Sequence, residues 1–381
     1  MKPREMIVHL NLIRALAMFF VLVGHARNIF LDNYSDSYSL FVKIFIFFSG
    51  FATQMVMIFF VLSGFCITSS ILYDLKNGKW AWSNYLINRS VRVYIGLIPA
   101  LFLTLFWDHL GVLFSHNSAI YQGLGPQNVV PIDVLKNTNF SIFFGNLFLL
   151  QHAFTSHLGS NGPLWRLPFE YWYYIVFPLS FLIFFESSVL SKKIIYAIFL
   201  VTIVSVFWVF IYLFPVWLLG SALAFMPRSD YLKEKYFFWI FLFIAFISLL
   251  ICMVFVRFNV TDGLLANYSV GMATSFLIYV LLHDIPNSQG YYAKIVTFFA
   301  NMSYTVYLTH MPFLIFLYAV FVGVDRWPFD EVHAIKFIGV ILLAMFYAYL
   351  VSRFTEAKTP KVKEFLYSNF LNKKTGAVIL T

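Results

Sequence analysis

Charged residues are scarce in this sequence. Only 11% of the 381 residues are Asp, Glu, Lys or Arg, whereas 61% are hydrophobic, and the mean hydropathy is +0.80. Such a composition is typical of an integral membrane protein. At roughly 20 residues a span, the length allows about ten transmembrane helices and leaves no room for a separate soluble domain. We therefore predict an all-α, polytopic integral membrane protein.

Cysteine is nearly absent as well. The two cysteines, Cys66 and Cys252, lie far apart in apolar runs, and neither has a second thiol or a metal-ligand spacing nearby. This pattern indicates two small buried side chains. We accordingly expect no bound metal.

The sequence also lacks internal repeats and basic clusters, and each of these absences argues against a class of function. No period of 20–50 residues repeats, and no inverted pair of segments of the transporter type stands out. The net charge of +9 does not indicate binding to nucleic acid, because Lys and Arg do not cluster with aromatic residues on a soluble segment. They instead concentrate in alternate loops, which predicts cytoplasmic positions for those loops and for both termini.

The apolar segments give the order of the predicted spans. The basic start of the chain lacks a small-residue cleavage site, so the first span is expected to remain as an anchor. Residues 40–72 exceed one span, and part of them is expected to lie along the membrane interface. Residues 115–163 are expected to form an outside loop whose apolar patch at 140–150 is too short to cross. Further spans are predicted at about 93–114, 164–185, 194–213, 214–227, 236–256, 263–282, 295–322 and 333–354. We assign residues 1–357 to the membrane domain and 358–381 to a basic cytoplasmic tail.

The first span, residues 11–28, carries Arg14 and His25 eleven residues apart. At roughly 3.6 residues a turn this is about three turns, so both side chains lie on one face and about 16 Å apart in depth. Ionisable groups at membrane depth indicate a functional site by default. We expect both to line one opening, with the cation holding an anionic donor and the imidazole exchanging protons. A snorkelling arginine and a satisfied buried histidine are the alternative.

Two more short elements combine polar and small residues. In FFVLSGF, residues 59–65, Ser63 and Gly64 permit either close helix approach or a local break that exposes backbone N–H groups. Arg89 and Arg92 are spaced i, i+3 at a predicted helix start, so they project from one side at the cytoplasmic surface. Two guanidinium groups there suit phosphate oxygens, although simple charge anchoring explains many such pairs.

A carboxylate, Glu170, lies about two turns into the span that begins with GPLWRLPFEYWYY. At that depth it needs a cation or a proton, and the available partners are Arg14, Arg166 and His25. A structural salt bridge and a catalytic role are both open.

The segment ANMSYTVYLTHMPF places Tyr304 and His310 in another span, either as site residues or as core residues. Glu356 closes the last span beside Lys358, where a solvated pair near the surface is expected.

Together these segments resemble the acyltransferase-3 family of membrane acyltransferases, whose bacterial members O-acetylate cell-surface polysaccharides. The most specific match is the family's Arg-x10-His signature on the first helix, and the other matches follow in the family's order over most of the chain. The matching residues are Arg14 and His25; 59–65; Arg89, Arg92, Tyr94 and Pro99; Trp165, Leu167, Glu170 and Tyr174; and Ser303, Tyr304, Tyr307, Leu308 and His310.

The chain departs from the family pattern at three places. Arg166 stands where the family has Ser, Tyr173 stands where it has Phe, and Glu356-Ala-Lys-Thr-Pro360 replaces the common Glu-Pro. These departures concern the acceptor or loop geometry more than the class of reaction.

The resemblance implies an enzyme of the bacterial inner membrane with acetyl-CoA as donor. The implied acceptor is a sugar hydroxyl of a surface glycan, such as O-antigen, exopolysaccharide or capsule, or of its lipid-linked precursor. Membrane lipids surround the protein, and the oligomeric state is left open.

The resemblance also implies roles for residues. Arg14, Arg89 and Arg92 would bind the phosphates of CoA. His25 would act as general base or accept the acyl group first, with Glu170 orienting it. The candidates for stabilising the oxyanion or positioning the acceptor are Ser63, Gly64, Trp165, Tyr304 and His310.

Two other classes of function remain open. In a polysaccharide or small-solute permease, Arg14, His25 and Glu170 would line a path along which His25 relays protons. The missing inverted repeats and the paired arginines argue against that class. A membrane scaffold for glycan assembly would tolerate loss of His25.

Overall fold

A computed structural model describes residues 7–114, 118–124, 130, 133–185, 189–258, 263–284, 290–323 and 325–371. These residues form helices and turns without a β-strand, which confirms the predicted all-α class. The α-helices are α1 (Ile7–Phe30), α2 (Leu40–Ser49), α3 (Ala52–Lys76), α4 (Trp82–Phe114), α5 (Phe140–Leu147), α6 (Arg166–Phe185), α7 (Leu190–Val206), α8 (Phe214–Leu223), α9 (Lys235–Arg257), α10 (Gly263–Leu281), α11 (Tyr291–Phe321), α12 (Glu331–Phe354) and α13 (Thr359–Leu366).

The number of membrane spans is lower than predicted. Eight helical segments of the described chain are long and apolar enough to cross a membrane. A ninth is obtained if α7 and the segment Trp208–Leu223, which contains α8, count as one span that is bent by 97°. The predicted spans at 194–213 and 214–227 correspond to this bent pair. Helix α8 has only ten residues, about 15 Å of rise, and cannot cross a bilayer alone.

Both ends of the described chain lie at the same end of the bundle. Arg14 on α1 and Glu356, just after α12, line one cavity, and helix α13 continues beside it and packs against α4. We call this the Arg14 end and the opposite one the His25 end. The predicted basic tail therefore begins as an ordered helix, while residues 372–381 lie outside the described residues.

Helices α1, α3 and α11 form the centre of the bundle. Helix α11 is buried along most of its length, whereas α9 and α12 expose many apolar side chains, as helices that face lipid do. Helix α3 packs closely on α8 through two glycines. A Cβ on Gly64 would lie 2.0 Å from the Trp217 carbonyl oxygen, and one on Gly220 would lie 1.9 Å from the Val61 carbonyl oxygen. Of the two interpretations of Gly64, the structure therefore shows close helix approach.

Residues 133–165 form a cap segment over the His25 end. Its helix α5 spans eight residues, so it is too short to cross, as predicted for the patch at 140–150. The buried Asp108 of α4 accepts hydrogen bonds from the Ser160 backbone N–H (2.8 Å) and hydroxyl (2.5 Å). Pro312 leaves the Leu308 carbonyl of α11 without its helical donor, and the Asn161 side-chain amide supplies one at 2.8 Å. The cap is thereby fixed to the two helices beside the site.

Candidate active site

Two histidines from the centre of the bundle contact each other directly. His25 of α1 and His310 of α11 place Nδ1 and Nε2 2.8 Å apart, with rings parallel to within 8°. His310 is completely buried, whereas His25 keeps partial exposure. Only the His25 imidazole can therefore be reached by a substrate.

The hydrogen bonds around this pair assign its tautomers. His310 Nδ1 lies 2.8 Å from the Val306 carbonyl oxygen and 3.0 Å from that of Tyr307, so it carries a proton. In the neutral pair, His310 Nε2 is then an acceptor, and the His25 Nδ1–H donates to it. The lone pair of His25 lies at Nε2, which is the arrangement required of a general base.

A polar cavity of about 130 Å³ lies between α1, α3, α4, α6 and α11. It adjoins a cavity of about 500 Å³ at the Arg14 end, and Arg14 and Arg92 line both. His25 is not among the described residues that line either one, so the expectation that Arg14 and His25 share one opening is wrong for this conformation.

A layer of side chains separates the cavity from the histidine pair. The Arg166 guanidinium lies 4.5 Å from the ring centroid of Phe59 and 5.0 Å from that of Tyr307. The Tyr307 hydroxyl donates to the Pro163 carbonyl oxygen of the cap at 2.7 Å. We call Phe59, Arg166 and Tyr307 the barrier layer; His310 lies about one helical turn beyond it on α11.

Glu170 contacts this layer, through Arg166, and not the histidine pair. One carboxylate oxygen accepts from Arg166 at 2.7 Å, and the other accepts from the Tyr174 hydroxyl. The prediction that Glu170 orients His25 is therefore wrong, since His310 occupies that position. The salt bridge with Arg166, which the sequence left open, is present. A buried carboxylate at this depth is satisfied by these two partners.

Arg92, at the Arg14 end, is already paired with a carboxylate. Its guanidinium lies 2.7 Å from Glu356, which also accepts from the Thr305 backbone N–H (2.9 Å) and hydroxyl (2.8 Å). The Glu356 side chain is 4% exposed, so the expected solvated pair with Lys358 is wrong. This network ties α4, α11 and the end of α12 together.

Arg89 keeps its charge unpaired among the described residues. Its guanidinium lies 5.3 Å from the Tyr85 ring centroid, and its buried Nε has no hydrogen-bond partner there. Lys363 of α13 is half-buried and close enough to repel Arg89 and Arg92 electrostatically. The Arg14 end therefore gathers more positive than negative charge.

Two predicted oxyanion donors are already engaged or point elsewhere. The Tyr304 hydroxyl lines the cavity but donates to the Val93 carbonyl oxygen at 2.9 Å. Gly64 faces α8, and its place on the cavity wall is taken by Ser63, whose hydroxyl lies 3.4 Å from that of Tyr174.

Trp165 lies in the last turn of the cap, with its ring 6.0 Å from that of His152. Burial lowers the pKa of His152 and of His157 below the usual imidazole range, so both cap histidines are neutral at pH 7. The cap therefore adds no histidine charge above the site. An acceptor-positioning role for Trp165 stays a prediction.

The sequence does not single out two charged residues of the candidate site, Arg166 and Glu356. Arg166 was treated as a departure from a family pattern and as one possible partner of Glu170, and its i, i+4 spacing from Glu170 was the available signal. Glu356 carried no signal, because its partners lie 51 and 264 residues away in sequence.

The comparisons with known proteins come from sequence. The family described as an acyltransferase domain matches residues 7–354. An "O-acetyl transferase" of Shigella phage Sf6 is 30% identical over 130 residues, which cover 32% of this chain and 32% of that protein. The chain thus matches about a third of this relative's length. No solved structure matches. Because the family match covers nearly all of the described bundle, from the first helix to the end of α12, the chain belongs to the acyltransferase domain family.

Proposed function

We propose that this protein transfers an acetyl group from acetyl-CoA to a sugar hydroxyl of a surface polysaccharide or of its lipid-linked precursor. The observation that carries the proposal is the His25–His310 pair, which leaves one unprotonated imidazole nitrogen across the barrier layer from a cavity lined with cations. The family membership and the named activity of the phage relative support the same class of reaction.

The donor enters at the Arg14 end. Arg14 and Arg89 have no carboxylate partner among the described residues, so they are free to bind the phosphates of CoA. Lys363 adds a third cation, while Arg92 serves mainly to hold Glu356. The pantetheine arm then lies along the polar cavity, with the thioester towards the barrier layer.

The acceptor hydroxyl approaches His25 from the opposite end. His25 Nε2 takes the hydroxyl proton as the oxygen attacks the thioester carbonyl carbon, and His310 Nε2 accepts from the imidazolium that forms. The tetrahedral intermediate collapses with cleavage of the C–S bond. The CoA thiolate takes the proton from His25, which yields the O-acetyl ester, free CoA and the neutral histidine.

Arg166 is the donor best placed for the oxyanion. Its Nε is buried and has no acceptor among the described residues, and its position in the barrier layer lies between the cavity and the histidine pair. For the thioester to reach His25, the Tyr307 ring must move aside, which breaks its hydrogen bond to Pro163. Binding of donor and acceptor together therefore includes a local rearrangement of this layer.

We further propose a location in the bacterial inner membrane, with the Arg14 end facing the cytoplasm. Acetyl-CoA is made in the cytosol, and the larger number of cations at that end agrees with the positive-inside rule. Since both ends of the described chain lie there, both termini are cytoplasmic in this orientation.

The test uses purified protein in nanodiscs with labelled acetyl-CoA and an acceptor glycan. We expect release of CoA that requires the acceptor. Replacing His25 by Ala should lower this rate by roughly 10²–10⁴-fold. The matched control is His109→Ala, which removes an exposed histidine of α4 whose imidazole bonds only to its own helix. Solute flux without CoA release would establish the permease instead, and full activity of His25→Ala would remove His25 from the chemistry.

A further inference from the structure

Three arginines gather at the His25 end, and none of them forms an ion pair with a described carboxylate. Arg27 lies in the last turn of α1, Arg257 is the last residue of α9, and Arg326 follows α11. Arg27 is only 8% exposed and interacts electrostatically with both of the others. None of the three forms an ion pair with a carboxylate of the described residues, including Asp32 and Asp325 in the adjoining segments.

The fold holds these side chains in place. The Arg257 guanidinium packs on Gly50, where an added Cβ would lie 2.7 Å from the guanidinium carbon. Arg326 donates to the Asn28 carbonyl oxygen at 3.5 Å. The buried Nε of Arg27 has no acceptor among the described residues. Like charges held together in this way repel one another unless an anion lies between them, and the planar guanidinium group matches the geometry of phosphate and of carboxylate.

An apolar groove begins directly beside this cluster. It has a volume of about 380 Å³ and includes Val23, one turn before Arg27, and Ser49, next to Gly50. Through Phe19, Leu342 and Met345 it continues into a second apolar groove of about 540 Å³ that runs towards the Arg14 end. Both grooves open on the lipid side of α1 and α12, where these helices expose apolar side chains.

We propose that the three arginines and this groove bind a membrane lipid that carries a phosphate group. The phosphate lies on Arg27, Arg257 and Arg326, and the apolar chain lies along the groove. A cationic site at the end of the spans, joined to an apolar channel along them, complements both parts of such a molecule. The lipid is a lipid-linked diphosphate that carries the acceptor sugar, and a phospholipid is the other occupant that the test must distinguish.

The position of the arginine cluster relative to His25 supports a lipid-linked diphosphate as the bound lipid. Arg27 follows His25 by two residues, which is about 3 Å along the axis and nearly the opposite side of the helix. A bound phosphate thus lies at the depth of His25 and about one helix width, roughly 10 Å, from it. A lipid-linked acceptor held there presents a sugar, and not its phosphate, to the imidazole. This last step rests on the proposed function, whereas the binding itself does not.

The test measures thermal stabilisation of the purified full chain in detergent, without turnover. Arg89→Gln serves as the background, because it weakens phosphate binding at the Arg14 end. We expect inorganic diphosphate to raise Tm in this background. Adding Arg27→Gln or Arg257→Gln should raise the diphosphate concentration needed for half of the shift by at least tenfold.

The control is Lys136→Gln, which removes one exposed positive charge from the cap, at the same end, and should change that concentration by less than twofold. Arg257 is exposed, so its variant preserves the fold even where a change at the buried Arg27 does not. Equal responses in the background, Arg257→Gln and Lys136→Gln proteins would overturn the proposal.

Two soluble amphiphiles distinguish the sources of the phosphate. If farnesyl diphosphate gives the Arg257-dependent shift, the site takes a lipid-linked diphosphate. If dihexanoyl phosphatidylglycerol gives it instead, the site takes a phospholipid headgroup and the proposed occupant is wrong. If neither amphiphile gives a shift that depends on Arg257, the site does not bind lipid phosphate and the proposal fails.

Discussion

In the proposed reaction a single nitrogen atom, His25 Nε2, carries the chemistry, and His310 on another helix sets its tautomer. His310 has both of its nitrogens committed, one to backbone carbonyl groups and one to His25. It therefore fixes the tautomer and the ring orientation of His25, and in the proposed reaction that is its role. This is the part that a carboxylate plays for the histidine of a serine hydrolase.

Replacing His310 by Ala should lower kcat by roughly 10²-fold or more while leaving the KM for acetyl-CoA nearly unchanged. The reason is that His25 loses the acceptor for its Nδ1–H, whereas the donor cations lie at the other end of α1. Steady-state kinetics of purified protein measure both constants.

Thr309→Val is the matched control, because Thr309 is equally buried beside His310 but its hydroxyl bonds to the Thr305 carbonyl oxygen and to Tyr347 of α12, and not to His25. If His310→Ala raised KM with kcat intact, or behaved like Thr309→Val, His310 would be a packing residue only.

The relative positions of site residues were predictable from sequence where the residues lie on one helix, because the helical period then determines them. The eleven-residue spacing of Arg14 and His25 places them about three turns apart on α1, and α1 is continuous over both. The partner of His25 lies 285 residues away, and several charged or polar groups were available for it. Which of these groups contacts His25 depends on helix packing. The sequence favoured Glu170, whereas in the folded protein the partner is His310.

At the scale of helices, close packing of α3 on α8 forms the wall of the polar cavity that carries Ser63. Gly220→Ala would place a methyl group only 1.9 Å from the Val61 carbonyl oxygen, a steric clash that forces the helices to separate. We expect a loss of about 1–3 kcal/mol in stability, measured as a lower Tm in detergent.

Gly339→Ala on α12 is the control for that change, because nothing lies within 4 Å of its added Cβ. It should leave Tm unchanged or raise it slightly, since alanine favours the helix by about 0.5–1 kcal/mol. Equal effects of the two substitutions would show that α3 and α8 are not in close contact.

In the proposed donor site, helix α13 contributes one cation, Lys363. Lys363→Gln should raise the KM for acetyl-CoA by about fivefold, equivalent to about 1 kcal/mol for a partly exposed charge, with little change in kcat. Lys361→Gln on the exposed side of the same helix is the control. The difference between the two variants should shrink as salt is added, and equal KM values at low salt would remove α13 from the donor site.

The presence of long apolar helices was more predictable than the number of membrane spans. Long apolar runs gave α1, α4, α9 and α11, because helix is the structure that satisfies the backbone in lipid. The region of α7 and α8 was miscounted, since hydropathy gives the length of an apolar run but not the 97° bend within it.

At the scale of the whole molecule, the two ends of the bundle differ in chemistry. The Arg14 end gathers cations around a cavity of about 500 Å³, and the His25 end holds the imidazole pair under the cap. The barrier layer lies between them. An acetyl group supplied at one end can thus be passed to an alcohol at the other without a continuous open channel.

The most direct test of this arrangement asks whether acetyl-CoA and the acceptor glycan react from opposite sides of the membrane. Protein is reconstituted in sealed vesicles with the Arg14 end outward, acetyl-CoA is added outside, and the acceptor glycan is enclosed inside. We predict acetylation of the enclosed glycan, with CoA appearing outside and with loss of both on His25→Ala. Acetylation only when glycan and acetyl-CoA share a compartment would contradict transfer across the bundle.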